Sequence, residues 1–274
     1  MALKLSVIIS TYNTPEWLEK VLYAYENQRF KSFELLIADD GSDAETGLLI
    51  DDFKKRGKLT LVRVWQTDKG FRKSEILNKA IVKTQSDYLV FSDGDCIPRS
   101  DFLMVHYEKR RRNHFVSGGY FKLPLRLSKS ISKADIEAQR CFDLAWLKQR
   151  GVKNSFKNNK LSKNRRWTRF LDRVTPTEAT WNGHNASGWR SDIVAANGFD
   201  QRMRYGGQDR ELGERMMNGG IKAIQARYSA ICVHLDHVRP YVDETDLRNN
   251  MKIRRKVKAA RKTFTPYGIE KRGL

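Results

Sequence analysis

The chain has 274 residues, of which 40% are hydrophobic and 11% aromatic, and its formal net charge is +20. This length and apolar content suffice for a folded core and exclude a wholly disordered chain. No stretch approaches the roughly 18 consecutive apolar residues of a membrane-spanning helix. The three cysteines, Cys96, Cys141 and Cys232, suggest neither a disulfide framework nor a Cys-x-x-Cys metal pair. We therefore expect a cytoplasmic protein in a reducing setting, whose start is a first strand rather than a signal peptide.

The first hundred residues alternate between short apolar runs and segments with apolar residues at helical spacing. The predicted strands are residues 5–9, 33–38, 59–65 and 88–91, and the helices between them are residues 15–28, 44–56 and 74–84. This alternation predicts an α/β fold with a mostly parallel sheet and helices on both faces. Ligands of such sheets bind beyond the carboxyl ends of the strands. The acidic turns of this chain fall at those ends.

Beyond residue 104 the pattern changes. Residues 105–175 are predicted to form a basic insertion, with helical patches at 136–149 and a polar stretch at 153–166. The compact pattern returns over 176–237, with short helices at 190–196 and 210–218 and a strand at 228–233. Residues 238–274 are predicted to form a basic C-terminal extension that is helical over 245–263.

The positive charge is concentrated in these two basic segments. Residues 105–175 hold 19 Lys and Arg against 5 Asp and Glu, and residues 238–274 hold 11 against 4. The rest of the chain holds 22 against 23 and is close to neutral. This concentration predicts contact with an anionic partner: a membrane surface, a phosphorylated glycan or a nucleic acid. The alternative is that the basic faces only keep the protein soluble.

Asp93-Gly94-Asp95 follows the fourth predicted strand. The two carboxylates point near one another if the chain turns at Gly94, and carboxylate oxygens are the ligands that hard divalent cations prefer. A cation held there can bridge the phosphates of a nucleotide. The alternative is a solvated Asp-Gly turn.

His234 ends an apolar strand on the C-terminal side of the body. A neutral imidazole combined with a carboxylate suits manganese or magnesium when water and phosphate fill the other positions. His237 lies three residues further on and competes for the same role. A structural histidine is the alternative.

Two further acidic groups open helices. Asp39 and Asp40 follow the second strand, where they can accept hydrogen bonds from uracil or ribose, or can cap the next helix together with Ser42 or Asp43. Asp209 follows two glycines at the start of a helix. A carboxylate beside a sugar site can deprotonate an acceptor hydroxyl. The alternative for Asp209 is a favourable charge at a helix N-terminus.

Taken in order, residues 7–13, 38–42, 68–72, 78, 93–95, 206–209 and 233–234 resemble the inverting family 2 glycosyltransferases of GT-A fold. The likeness is strongest to the branch with a galactosyltransferase-like C-terminal part, which includes bacterial chondroitin polymerase domains. It covers 1–104 and 176–237, and implies that these are the nucleotide-binding half and the acceptor and catalytic half of a GT-A domain. The fold so implied is a mixed, mostly parallel sheet flanked by helices.

The resemblance also implies a site. It makes Asp209 the catalytic base, assigns the metal to Asp95 and His234, and gives a nucleotide-sugar-binding set: Thr11, Tyr12, Asn13, Asp39, Asp40, Lys69, Arg72, Asn78, Asp93, Gly94, Gly183, Asn185 and Gln208. Within this set, the uridine would be bound by Thr11, Tyr12 and Asp40 or Asp39, and the nucleotide side would be lined by Lys69, Arg72 and Asn78. The ribose or the metal's water shell would be held by Asp93, and the donor sugar would be bordered by Gly183 and Asn185. Three positions depart from the family: Gln208 replaces a usual acidic residue, Tyr205 a frequent Trp, and His184 a frequent glycine.

The implied activity is the inverting transfer of a hexose or N-acetylhexosamine from a UDP-sugar to a glycan acceptor, assisted by Mn²⁺ or Mg²⁺. The acceptor would be a lipopolysaccharide core, a capsule precursor or another lipid-linked oligosaccharide at the cytoplasmic face of a membrane. Phe142, Leu144, Trp146 and Leu147 either dock at that interface or pack on the body.

Two rival functions conflict with the sequence. A sugar-phosphate nucleotidyltransferase usually carries a Gly-rich basic loop after the first strand, and residues 10–15 contain none. A non-catalytic nucleic-acid-binding protein would suit the pI of 9.9, but no zinc-finger spacing or RNA-recognition motif is present. Nucleic acid is therefore not the expected partner, and the sequence predicts no oligomeric state.

Overall fold

The computed structural model describes residues 3–238 and 242–270. Its strands are β1 (Leu5–Thr11), β2 (Phe33–Asp39), β3 (Leu61–Trp65), β4 (Tyr88–Asp93), β5 (Cys96–Pro98), β6 (His114–Lys122), β7 (Asn185–Trp189) and β8 (Lys222–His234). They form one sheet in the order β3-β2-β1-β4-β7-β6-β8-β5. The first four strands are parallel, β7 runs antiparallel to β4 and β6, β6 and β8 are parallel, and β5 is antiparallel to β8. The predicted mixed, mostly parallel sheet is confirmed.

Helices cover both faces of this sheet. They are α1 (Pro15–Glu26), α2 (Ala44–Lys55), α3 (Lys73–Lys83), α4 (Phe102–Lys109), α5 (Leu125–Ser130), α6 (Lys133–Glu137), α7 (Leu144–Lys148), α8 (Arg165–Val174), α9 (Arg190–Ala195), α10 (Gln208–Asn218) and α11 (Glu244–Ala259). Because side chains alternate along a strand, Val7 and Ile9 of β1 enter the cluster packed by α1 and α2, and Ile8 enters the opposite cluster, packed by α3, α9 and α10. Among the residues described, no helix combines the length and apolarity needed to cross a bilayer.

The basic segment 105–175 contributes to the sheet itself. Its strand β6 lies between β7 and β8, which the charge pattern did not predict. Phe142 and Leu147 are fully buried in the core, and Leu144 and Trp146 pack against it. That stripe therefore does not face a membrane, and the alternative of packing on the body holds. The segment predicted as a polar stretch contains a 3₁₀ helix (Phe156–Leu161) and the start of α8.

The C-terminal extension packs against α10 and the segment that follows α9. Arg254 and Lys258 of α11 both contact Glu214 of α10, at 2.5 and 3.3 Å. Beyond α11, the carbonyl of Thr265 accepts a hydrogen bond from the Asn197 side chain at 2.7 Å. The extension is therefore joined to α10 by charge pairs and to the segment after α9 by hydrogen bonds.

Candidate functional site

A cleft of about 710 Å³ opens where the carboxyl ends of β1, β2 and β4 meet the start of α10. The strand register explains the convergence, because Ser10 pairs with Asp93 and Thr11 pairs with Asp39. The polar side chains that line the cleft include Ser10, Thr11, Tyr12, Asn13, Asp40, Lys73, Asp93, Asp95, His184, Gln208, His234 and His237. Seven of the residues implied by the resemblance for the nucleotide sugar, counting Gly94, are therefore brought to one surface, together with both residues implied for the metal.

Asp95, His234 and His237 form the candidate metal centre. Antiparallel pairing of β5 with β8 sets Cys96 opposite His234, and this brings the preceding Asp95 to the end of β8. The Asp95 carboxylate lies 2.8 Å from Nε2 of His237 and 3.5 Å from Nε2 of His234. One ligand atom from each of the three lies within 4.8 Å of the others. Burial alone would raise the pKa of Asp95, but the hydrogen bond to His237 and the His234 imidazole hold it well below its ordinary value.

This donor set fits a divalent cation. A carboxylate with two imidazoles is a mixed oxygen and nitrogen set of the kind that first-row divalent ions accept. Nδ1 of His237 lies 2.8 Å from the carbonyl of Val238, to which Nδ1–H can donate. Its Nε2, which faces Asp95, could then bind a metal in place of its hydrogen bond to that carboxylate. The sequence left His234 and His237 as competitors, and the structure brings both to Asp95.

Lys73 is a cleft residue that the sequence analysis missed. Its Nζ lies 2.7 Å from Oδ1 of Asp93, which also accepts a hydrogen bond from Ser10 at 2.6 Å. Burial lowers the pKa of Lys73, but Asp93 beside it, with the fields of Asp209 and Asp95, raises it above its ordinary value. A cation in the first turn of a helix is unfavourable beside the helix dipole. That unfavourable position was the sequence signal that Lys73 has a role outside its helix.

Of the two acidic residues after β2, Asp40 faces the cleft. Its carboxylate accepts hydrogen bonds from Gln66 at 2.6 Å and from the backbone N–H of Arg72 at 2.8 Å, and burial raises its pKa. Asp39 is fully buried and is bound by the guanidinium of Arg63 at 2.6 and 2.8 Å. The N-cap of α2 is Asp43, which accepts from the backbone of Thr46. The structure therefore favours Asp40 as the carboxylate available to a nucleotide.

Several residues expected to contact the donor lie outside the described lining of the cleft. Asn78 is buried and exchanges hydrogen bonds with the backbone of Phe199, at 2.8 Å in both directions. Asn185 is buried in the sheet, where it donates to the carbonyls of Gly119 and Ala230 and contacts His106. In the described structure these two amides bind the framework and do not line the cleft.

The remaining members of that set lie near the cleft without lining it. Lys69 is exposed. The Arg72 guanidinium binds Glu75 and the carbonyl of Thr67 and does not reach into the cleft. Gly183 contributes its backbone N–H, which donates to Asp209 at 2.9 Å. Gly94, in contrast, lines the cleft and is tightly packed, because a Cβ there would lie 3.1 Å from the Thr11 hydroxyl and 3.2 Å from the carbonyl of Ser10.

Asp209 stands at the first turn of α10, next to the cleft residue Gln208. The preceding Gly206 and Gly207 have φ values of 106° and 86°, which favour glycine. One oxygen of the Asp209 carboxylate accepts from Gly183 and the other from the backbone of Arg210 at 2.8 Å. The carboxylate is half-buried, and its field acts on Lys73 in the cleft.

His184 and Tyr120 border the same region. The two rings meet edge to face with centroids 4.8 Å apart, and Tyr120 also contacts His234 at 5.8 Å. Burial lowers the pKa of His184 below its ordinary value, which favours a neutral ring. A neutral ring at position 184 supplies a bulky wall where the family frequently has glycine.

Residues 6–124 match the family model described as Glycosyl transferase family 2. The uncharacterized glycosyltransferase YfnE of Bacillus subtilis is 24% identical, over 91% of this chain and 69% of that protein. The GalNAc(5)-diNAcBac-PP-undecaprenol β-1,3-glucosyltransferase of Campylobacter jejuni is 30% identical over 95 residues, which are 34% of this chain and 29% of that protein.

Two solved structures are similar in fold. Residues 1–349 of S. aureus TarS in complex with UDP-GlcNAc superpose with a TM-score of 0.63 at 14% identity, over 94% of this chain and 69% of that one. The mannosyltransferase PcManGT of Pyrobaculum calidifontis, in complex with GDP-Man and Mn²⁺, gives a TM-score of 0.58 at 18% identity, over 95% and 63%. At these identities the two structures establish the fold alone.

Proposed function

We propose that this chain, which matches the family 2 glycosyltransferase model over residues 6–124 and has the GT-A fold, transfers a hexose or N-acetylhexosamine from a UDP-sugar to a glycan acceptor with inversion. The observation that carries the proposal is the meeting of three chain segments at one cleft. Asp93 ends β4, Asp95 immediately precedes β5, and His234 ends β8. Gln208, which opens α10, lines the cleft and places Asp209 beside it. The match of residues 6–124 to the family 2 model favours glycosyl transfer over a sugar-phosphate nucleotidyltransferase. The UDP and UDP-GlcNAc complexes of TarS support a nucleotide-sugar donor.

The donor's nucleotide would lie over the ends of β1 and β2. Tyr12 is 43% exposed, and its hydroxyl donates to Asp68 at 2.8 Å, so its ring is held in place with a face available to a base. Asp40 would accept from the base or ribose. Lys73 pairs with Asp93 and lines the cleft, so its ammonium group could also contact a diphosphate bound there.

Asp95, His234 and His237 would hold the Mn²⁺ or Mg²⁺ ion. Such an ion neutralises the negative charge that develops on a departing diphosphate. PcManGT was solved with Mn²⁺, which supports a metal in this family of folds. The arrangement of the three side chains around Asp95 is the support within this chain.

Asp209 would act as the catalytic base. As the acceptor oxygen bonds to the anomeric carbon, the bond from that carbon to the diphosphate oxygen breaks and UDP leaves. The acceptor's proton passes to the Asp209 carboxylate. The N–H groups of Gly183 and Arg210 fix the orientation of this carboxylate before the acceptor arrives, so that much of the rate comes from positioning.

The acceptor would be a lipid-linked or phosphate-bearing glycan, and the protein would work at the cytoplasmic face of a membrane. The basic character of residues 105–175 supports an anionic partner. The undecaprenol-linked substrate in the name of the Campylobacter jejuni relative supports a lipid-linked one.

The test is the release of UDP from a panel of UDP-sugars with and without Mn²⁺. Asp209→Asn should lower turnover by at least about 100-fold while calorimetry shows UDP binding retained. Asp95→Ala should instead weaken binding of UDP in the presence of Mn²⁺. Asp52→Asn, the same change at an exposed position on α2, is the control and should behave as wild type. Near-normal turnover in Asp209→Asn would exclude this residue as the base, and no active donor in the panel would refute the UDP-sugar assignment.

A further inference from the structure

The exposed side of α8 carries an apolar strip beside a basic strip. Trp167, Phe170 and Val174 are 41%, 52% and 49% exposed, and Phe156 of the preceding 3₁₀ helix is 68% exposed. At about 100° of rotation per residue, Trp167, Phe170 and Val174 share one strip of the helix surface. Arg165, Arg166, Arg169 and Arg173 form the adjacent strip, and Thr168, Leu171 and Asp172 face inward. We call Phe156, Trp167, Phe170 and Val174, with Arg166, Arg169 and Arg173, the α8 patch.

The protein holds this patch rigidly in its exposed position. The buried Asp172 accepts hydrogen bonds from the backbone of Tyr228 at 2.7 Å and from the hydroxyl of Ser229, which fasten α8 to β8. The rings of Trp167 and Phe170 are stacked with centroids 5.6 Å apart. Exposed aromatic groups that are ordered in this way have no role in the core, and their apolar area is available to a partner.

The arginines of the patch are available as well. Arg165 pairs with Glu108 at 2.5 Å, whereas in the described chain no carboxylate lies within ion-pair distance of Arg166, Arg169 or Arg173. The insertion as a whole carries 19 basic against 5 acidic residues. Aromatic rings flanked by unpaired arginines complement an anionic lipid surface, where rings enter the headgroup boundary and guanidiniums meet phosphates.

The patch is connected to the cleft through the 3₁₀ helix. The Trp167 indole N–H donates to Asn159 at 3.1 Å, and the Asn159 amide donates to the carbonyl of Phe156 at 3.0 Å. The next residue, Lys160, is buried, and its ammonium donates to the carbonyl of Tyr120 at 2.8 Å. Tyr120 in turn contacts His184 and His234 of the cleft.

We propose that the α8 patch docks the enzyme on an anionic membrane surface, with the aromatic rings at the headgroup boundary and the arginines against lipid phosphates. Docking there places the membrane beside the Tyr120 side of the cleft, where a lipid-linked acceptor would enter. The role of docking in acceptor delivery rests on the proposed function, but the docking itself does not.

The experiment is flotation of the full chain with vesicles of phosphatidylcholine alone or mixed with phosphatidylglycerol. Wild type should float with the anionic vesicles and not with the neutral ones. The double variant Trp167→Ala, Phe170→Ala and the triple variant Arg166→Gln, Arg169→Gln, Arg173→Gln should each bind anionic vesicles at least about tenfold more weakly.

Two matched controls separate the patch from apolar surface and charge in general. Leu48→Ser removes a side chain that is 70% exposed on α2, and Lys252→Gln, Arg255→Gln, Lys256→Gln removes three exposed charges from α11. Both should float like wild type. Equal loss of binding in the α11 triple variant, or undiminished binding in the α8 variants, would overturn the proposal. Light scattering could instead show a wild-type dimer that dissociates in the Trp167, Phe170 variant, with no binding of wild type to vesicles. That result would assign the patch to a second copy of the chain and would also overturn the docking proposal.

Release of UDP from the donor in vesicle-free solution distinguishes the two proposals. The α8 variants should keep wild-type rates there, because none of the changed residues lines the described cleft. A wild-type protein that floats but releases no UDP would refute the proposed function and leave docking intact. One that releases UDP but does not float would refute docking alone.

Discussion

The C-terminal helix α11 reaches the turn before the proposed base through one amide. Asn250 is 2% exposed, and its Nδ2 lies 3.1 Å from the carbonyl oxygen of Arg204 and 3.0 Å from those of Tyr205 and Gly206. These three residues form the turn that leads into Gln208 and Asp209. Leu247 of the same helix fills the space beside Gly206, where a Cβ would lie 2.3 Å from its Cδ2. Helix α11 therefore holds this left-handed turn in place.

We predict that Asn250→Ala impairs turnover more than donor binding. The change removes the two N–H donors that these three carbonyls share, and at about 1 kcal/mol for each net hydrogen bond it should cost about 2 kcal/mol of unfolding free energy. A relaxed turn would displace the Asp209 carboxylate, and a shift of about 1 Å can cost about 100-fold in rate. The kcat for UDP release should fall about 10- to 100-fold. The KM for the UDP-sugar should change less, since most of its expected contacts in the cleft, apart from Gln208, lie at the ends of β1, β2 and β4.

The matched control is Asn218→Ala. Asn218 also joins α10 to the C-terminal extension, through the carbonyls of Val257 and Lys262 at 3.3 and 2.8 Å, but at the far end of α10. It should lose stability in urea unfolding and keep its kcat. Wild-type kcat in folded Asn250→Ala would refute the positioning role. Equal loss of kcat in both variants would show that general loosening of α11 is responsible.

Two further predictions concern charge and pH. Lys73→Met should weaken binding of UDP, measured by calorimetry, by roughly tenfold because it removes the cation beside Asp93; unchanged affinity would show that this lysine serves only the fold. His106 is buried and hydrogen-bonded to Ser187 and Asn185, and burial lowers the pKa of its imidazole from 6.5 to about 4. Between those two pH values the His106 imidazole is protonated in the unfolded chain but stays neutral in the folded chain. Stability should therefore fall as pH drops from 6.5 to about 4, by at most about 3 kcal/mol, with no further loss from this group below that range. In urea unfolding, His106→Gln should lack this part of the pH dependence, and an unchanged slope would contradict the assignment.

Local periodicity was sufficient to predict the first four strands and the helices between them. Each of these elements is defined by an apolar pattern within its own residues, and β1, β2 and β4 are buried along most or all of their length. Strand β6 escaped prediction because Ser117, Gly118 and Gly119 interrupt its apolar run. Gly118 is small for a reason outside the strand: a Cβ there would lie 2.0 Å from Oδ1 of Asn185. Its neighbour β8 pairs with it from more than 100 residues further along the chain.

The same distinction applies to the site. The acidic turns could be found because strand ends carry a local signal, but the meeting of Asp95 with His234 depends on the register of β5 against β8. Asn78 and Asn185 were expected to bind the donor because the family resemblance implied those roles. Both instead satisfy buried backbone groups, and only the partners of an amide, not its position in the sequence, distinguish these roles.

The two basic segments, alike in composition, differ in what their charges contact. On α11, Arg254 and Lys258 are bound to Glu214, so these cations help to hold the extension against α10. On α8, the inward residue is the acidic Asp172. Arg165 pairs with Glu108, but Arg166, Arg169 and Arg173 are exposed and have no carboxylate within ion-pair distance in the described chain. An anionic partner gains the most binding free energy from cations that have no carboxylate partner within the protein, because an ion pair already made must be broken or shared when the partner binds. We therefore expect binding to a lipid surface to depend on the arginines of α8, and the position of Asp209 to depend on the packing of α11.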